Sequence, residues 1–272
     1  MSIEAVFLLS IVAGLVGSMT GMGGGVVLIP TLTFFGMDIK QAIALSILSM
    51  LVIANTAAAR YVSRHLPNFR IGGFLELFAI IGAIAGSILT VIINQRLLFF
   101  LCGVIFFLFS WILWKQRNEE WKPPTHQDVF SKQLGFEGSY YDYAEGHTIA
   151  YRGRRALVAA PLMTGAAFVS GLLGIGGSGF TVLINNLVIG LPPKVSLTTS
   201  HLIISIMALA SADVYLETGL IPIKLIMPMI LGIALGAYVG SGFLIHLTNR
   251  ITRQVFLCVL LVLGIEMLTR GL

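Results

Sequence analysis

Charge is scarce in this chain: only 11% of its 272 residues are Asp, Glu, Lys or Arg, under half the share of an ordinary soluble domain. With 57% hydrophobic residues and a mean hydropathy of +0.93, a water-soluble globule is excluded and the chain reads as an integral membrane protein. Cysteine is nearly missing. Cys102 and Cys258 lie inside apolar runs and read as packing residues, with no disulfide framework and no metal-ligand spacing. No Ser/His/Asp arrangement or phosphate loop with a following Lys is present, so neither catalysis nor a cofactor is expected. The extreme N-terminus carries Glu4 without Lys or Arg. No small-residue cleavage motif follows its first apolar run, so a removed signal peptide is not expected. The formal charge of +5 does not mark a nucleic-acid binder, because the basic residues sit in loops where topology accounts for them.

What the chain has in quantity is apolar sequence. Segments read at 3–19, 24–36, 41–62, 70–93 and 97–115, then at 156–173, 178–190, 195–216, 221–246 and 252–270. Spanning a bilayer takes about 20 helical residues, so 24–36 and 178–190 are too short to cross alone. Each is expected to pair with the segment before it, as a broken helix or a hairpin whose tip is a glycine run. Placing the Arg60/Arg64/Arg70 loop in the cytoplasm and alternating outward puts 13 of the 17 basic residues inside. Lys40, Arg96, Lys224 and Arg270 fall outside, and both termini come out external. Each half makes an odd number of passes, so the halves insert upside down relative to each other.

The duplication shows in the residues. Gly82-Ala83 with Gly86-Ser87 returns as Gly236-Ala237 with Gly240-Ser241, and Phe100-Leu101-Cys102 as Phe256-Leu257-Cys258. Ala44-Leu45-Ser46, ten beyond Gly36, matches Thr198-Thr199-Ser200, ten beyond Gly190. These pairs lie 153 to 156 residues apart in one order. The expected architecture is an all-α membrane protein of two inverted repeats with about five helical segments each. The first repeat covers 1–115, a cytoplasmic loop 116–155, and the second repeat 156–272. Within the loop, 117–135 is polar with Pro123-Pro124, a linker composition. Aromatic and β-branched residues then flank Ala144-Glu145-Gly146 and predict a short β-hairpin. It reads as a cap over helix ends or as a docking element for a partner.

Glycine-rich breaks interrupt both halves: Gly21-Met22-Gly23-Gly24-Gly25 and Gly174-Ile175-Gly176-Gly177-Ser178. They uncover backbone N–H groups that lipid cannot satisfy, so each break is expected in protein or beside a wet cavity. Matched breaks followed by truncated helices point to a binding site near the midplane. Helices starting after Gly23–Gly25 and after Gly176, Gly177 and Ser178 offer free N–H groups and a positive dipole end to a small oxyanion. Ser46 (with Ser49), Thr198, Thr199, Ser200 and His201 are the expected side-chain contacts.

Each has a plainer reading. Membrane glycines commonly allow close helix packing, which is how Gly82, Gly86, Gly232, Gly236 and Gly240 are read. A membrane Ser or Thr commonly bonds its own helix. His201 reads as ligand donor, proton carrier or boundary residue. Asn185, Asn186 and, more weakly, Asn55 line a path or join helices. Glu76, Asp213 and Glu266 sit toward segment ends, where solvent is in reach. Asp213 reads as a proton relay or as half of a structural pair.

Three stretches carry a resemblance: Gly17 through Gly25, Ser170 through Gly177, and Lys194-Val195-Ser196-Leu197-Thr198-Thr199-Ser200. With Gly138 through Arg152, they make the chain resemble the sulfite exporter TauE/SafE family over essentially its whole length. That resemblance implies export, or sometimes uptake, of sulfite, thiosulfate or organosulfonates across the cytoplasmic membrane. The first copy departs from the Thr-rich second copy at Ala44-Leu45-Ser46, so the halves need not contribute equally. Proton motive force and facilitated diffusion both fit as the coupling. The competing readings are a channel-like anion pore and a membrane scaffold acting through the hairpin.

Overall fold

The computed structural model describes residues 3–20, 23–62, 64–115, 124, 126–142, 146–175, 178–244 and 264–271. The first half contains α1 (Ile3–Thr20), α2 (Gly25–Phe34), α3 (Ile39–Val62), α4 (Phe69–Ile92) and α5 (Gln95–Lys115). A short α6 (Val129–Gln133) and strands β1 (Glu137–Asp142) and β2 (His147–Arg152) follow. The second half holds α7 (Ala156–Leu173), α8 (Ser178–Leu183) running on as a π-helix (Ile184–Ile189), α9 (Pro193–Glu217) and α10 (Ile223–Leu244). The last helix, α11, is described over 264–271. Of the expected 252–270 segment, 252–263 with Cys258 lies outside the described residues.

Among the described residues six helices, α3, α4, α5, α7, α9 and α10, are long and apolar enough to cross a membrane. The short pieces double back, as their length required. The main chain of Gly23 and Gly24 lies against Gly17, whereas in a continuous helix residues seven apart stand about 10 Å apart. In the second half, the Arg154 N–H ahead of α7 donates to the Ile189 carbonyl at 2.9 Å, so the π-helix returns to where α7 began. Both short segments are therefore re-entrant hairpins.

Helix packing interleaves the halves. Gly232, Gly236 and Gly240 of α10 lie on the carbonyls or main chain of Phe7, Ile11 and Leu15 of α1. Gly82 and Gly86 of α4 lie on Thr164 and Phe168 of α7, and Gly171 lies on Ala83. Residue numbers rise together in both pairs, so α1 runs parallel to α10, and α4 parallel to α7. Connectivity makes α4 antiparallel to α1 within its half, so α4 and its repeat mate α10 run oppositely. The repeats are inverted. The small residues let backbones touch where lipid gives no hydrophobic drive. At the edge, Gly103 meets Leu268 and Gly264 meets Phe106 and Phe107, which joins α5 to α11.

The two strands pair antiparallel from Glu137↔Arg152 to Asp142↔His147, as the hairpin reading expects; its turn residues 143–145 lie outside the described residues. The hairpin faces protein. Asn68 is its anchor: Oδ1 accepts from the Arg70 and Ile71 N–H groups at 3.1 Å each, capping α4. Its Nδ2 donates to the Glu137 carbonyl at 3.3 Å and the Tyr151 hydroxyl at 3.1 Å. Its N–H donates to Thr199 Oγ1 of α9 at 3.0 Å. Phe74 of α4 packs edge-on to Phe130 and Phe136.

Helix α6 falls in the stretch expected to be linker. Asp128 caps it through the Ser131 N–H at 3.0 Å and also accepts from the Arg155 N–H at 2.5 Å. Slight burial raises the Asp128 pKa, but the bonds from the Arg155 N–H and from the Ser131 N–H and hydroxyl outweigh it. They hold the carboxyl below the usual range.

Candidate transport site

The central pair α3 and α9 sets the depth scale. Ser205 Oγ donates to Asn55 Oδ1 at 2.9 Å, and the rings of Tyr61 and His201 stand 5.5 Å apart at 74°. The helices therefore run antiparallel, with Tyr61 level with His201. Ser46 lies fifteen residues before Tyr61, about 22 Å along the axis at 1.5 Å per residue. The residues expected at one point thus divide between two levels.

At the level far from the β-hairpin, the two glycine breaks meet. Ser46 Oγ, fully buried, donates to the Gly174 carbonyl at 2.5 Å. A methyl on Gly25 would overlap both that carbonyl and Ser46 Oγ. Gly174 ends α7 in the left-handed region at φ +60°, the cap glycine favours. Three carbonyls at this end accept hydroxyls from other helices, and the Ser170 carbonyl accepts the Gly174 N–H. Tyr215 of α9 donates to Gly171 at 2.8 Å, Thr90 of α4 to Leu172 at 2.6 Å, and Ser46 of α3 to Gly174.

The start of α2 is different. Gly24, its N-cap, has no side chain to offer, and the first intrahelical bonds are those from the Val27 and Leu28 N–H groups to the Gly24 carbonyl. The N–H groups of Gly25 and Val26 precede them. Gly23, Gly24, Gly25 and Val26 are all buried. Gly24 sits beside Ser49 Oγ and Ile53, eleven to fifteen residues into the 24-residue α3, so this helix start is at mid-depth. Gly21, Met22, Gly176 and Gly177 lie outside the described residues. Ser178 opens α8, and its side chain is not described.

At the level nearer the β-hairpin, successive α9 residues point about 100° apart and cannot converge. Thr198 Oγ1 donates to the Lys194 and Val195 carbonyls of its own turn. Thr199 receives Asn68. Ser200 Oγ donates to the Ser196 carbonyl at 2.7 Å and accepts from Asn185 Nδ2 at 3.0 Å. His201 Nδ1 is 2.9 Å from the Leu197 carbonyl. A carbonyl only accepts, so Nδ1 carries the proton there and the neutral ring keeps Nε2 as an acceptor.

Asn185 is the residue whose weight the sequence understated. It is fully buried in the π-helix, an irregularity frequent at functional sites. Asn186 Nδ2 donates to the Leu191 carbonyl, the joining role. Asn55 Nδ2 donates to the Leu51 carbonyl within its own helix. Glu266 pairs with Arg270 at 3.1 Å. No group of three or more His, Cys, Asp or Glu stands together among the described residues.

The family model described as "Sulfite exporter TauE/SafE" matches residues 6–267. The chain is similar to "Probable membrane transporter protein YunE" of Bacillus subtilis (strain 168), at 22% identity over 280 residues. That alignment covers 100% of this chain and 99% of the relative. It is similar also to "Probable membrane transporter protein YdhB" of the same strain, at 26% identity, covering 89% and 88% of the two chains. No solved structure matches significantly.

Proposed function

Because the chain belongs to the sulfite exporter TauE/SafE family, we propose that it carries a small sulfur oxyanion or organosulfonate across the cytoplasmic membrane, outward, past the start of α2. The observation that supports this reading is a buried helix N-terminus at mid-depth without a side-chain cap. Such an end needs a partner, and its N–H groups and dipole favour negative charge. The neighbouring carbonyls of Gly171, Leu172 and Gly174, which would repel an anion, are covered by hydroxyls.

Ser46 is then a switch. In this conformation its proton is committed to Gly174, and the two breaks are too close for a guest between them. Parting them frees the hydroxyl to join the Gly25 and Val26 N–H groups. The moving blocks are α1 with α10 and α4 with α7, since glycine contact fixes each pair. The β-hairpin, turned inward on Asn68, serves as a cap and lies in the cytoplasm, with both termini outside.

Purified protein in liposomes, offered labelled sulfite, thiosulfate and sulfonates with and without a pH gradient, tests the reading. Saturable flux is expected, and Ser46→Ala should lower it about tenfold through loss of one hydrogen bond. Flux that rises without saturation indicates a pore instead. No flux of any of these anions refutes the assignment.

A further inference from the structure

One buried polar atom near Ser200 has no partner. Asn185 Oδ1 is fully enclosed and unbonded, a state whose cost native proteins seldom accept without a bound group. Its orientation is constrained. Nδ2 lies 3.5 Å from the Ser196 carbonyl and 3.0 Å from Ser200 Oγ. The carbonyl can only accept, and the Ser200 proton is directed at that same carbonyl. The amide nitrogen must therefore face α9, and the oxygen faces away.

The first repeat has no such atom at the matching position. Its corresponding residue, 154 positions earlier, is Thr31, whose hydroxyl is satisfied by the Val27 carbonyl of its own helix. The regular α-helix of α2 is also replaced here by the π-helix. This departure from the duplication is therefore specific to the second half.

An oxygen without protons repels a fully ionised oxyanion and welcomes one that bears a proton. We propose that Asn185 Oδ1 receives an acid proton carried by the cargo, so that this transporter prefers a singly protonated oxyanion to a permanently ionised sulfonate. The inference rests on the anion-transport reading and sharpens its substrate class. A proton would then travel with the anion, without a carboxylate relay.

The titratable and charged groups around the π-helix are few. They are His201 and Lys194 on α9, Tyr61 facing His201, and Arg154, whose N–H holds Ile189. The side chains of α7 and α8 carry no titratable group. None of these groups bonds Asn185 Oδ1.

The test compares initial rates in liposomes for sulfite, which exchanges a proton near neutrality, and methanesulfonate, which has none to give. Wild-type protein should favour sulfite, and its sulfite rate should fall from about pH 6 to 8 while the methanesulfonate rate holds. Methanesulfonate thereby controls for titration of His201. Asn185→Thr installs the residue found at the matching position of the first repeat; Asn185→Leu removes the polar group. In either variant the sulfite-to-methanesulfonate ratio should drop about tenfold, the worth of one hydrogen bond to a buried acceptor. If Asn185→Leu fails to insert, Asn185→Thr decides. An unchanged ratio in Asn185→Thr, or equal wild-type rates for both anions, overturns the inference and leaves anion transport standing. Wild-type protein that moves neither anion, nor thiosulfate offered in parallel, overturns both.

Discussion

The end of α7 and the start of α2 touch, yet they are finished in opposite ways. Three hydroxyls from three helices cover the carbonyls of Gly171, Leu172 and Gly174, while the first N–H groups of α2 have no side-chain cap among the described residues. If the breaks served only close packing, both ends would need the same satisfaction from protein. On the proposed transport reading, the difference is one of polarity: acceptors are covered and donors are kept.

The strongest way to break that contrast is to wedge it. Gly25→Val places a branched side chain against Gly174 and Ser46 and should reduce flux by at least about a hundredfold, with overpacking of about 1–3 kcal/mol seen in detergent melting. Gly165→Ala, with open space around its Cα, should change neither measurement. If both variants behave alike, the tight contact has no special role.

Next in size is the anchor of the opposite level. Asn68→Ala removes the cap of α4 and leaves the Tyr151 hydroxyl and Glu137 carbonyl without their donor. About 2–4 kcal/mol of stability should be lost. Protease cutting within 126–152 should become faster. A hairpin that acts as a separate docking arm would limit the loss to that of the helix cap, about 0.5–2 kcal/mol, and leave the protease cutting rate unmoved.

The smallest effect concerns pH. Asp128 has a lowered pKa when folded, so its contribution is present above the usual carboxylate range and is lost as pH falls through the lowered value. Asp128→Asn should therefore lower the melting temperature at neutral pH and leave it nearly unchanged at the acid end, so that the acid slope of melting temperature against pH flattens.

The sequence made the spans legible because apolar runs and loop charges are local signals, and the glycine breaks because matched runs stand out. The depth of the site residues was not legible. Ser46 and Ser200 are repeat mates; loop charge and pass number predict the inversion, but the distance it sets between mates shows only in the antiparallel crossing of α3 and α9. The run Thr198–His201 looked like one cluster because residues adjacent in sequence diverge on a helix. Asn68 had a readable sign, an Asn after Pro67 and just before an apolar helix, the usual N-cap position. The π-helix had none, since Asn185 and Asn186 fit an ordinary turn equally well.

The pairing of α1 with α10 bears on biogenesis. Residue 3 leaves the ribosome 220 residues ahead of residue 223, so α1 must wait in the bilayer with its contact stripe unclaimed. The nascent first half is thus an unfinished object, and truncation after α9 should strand it for quality-control proteolysis.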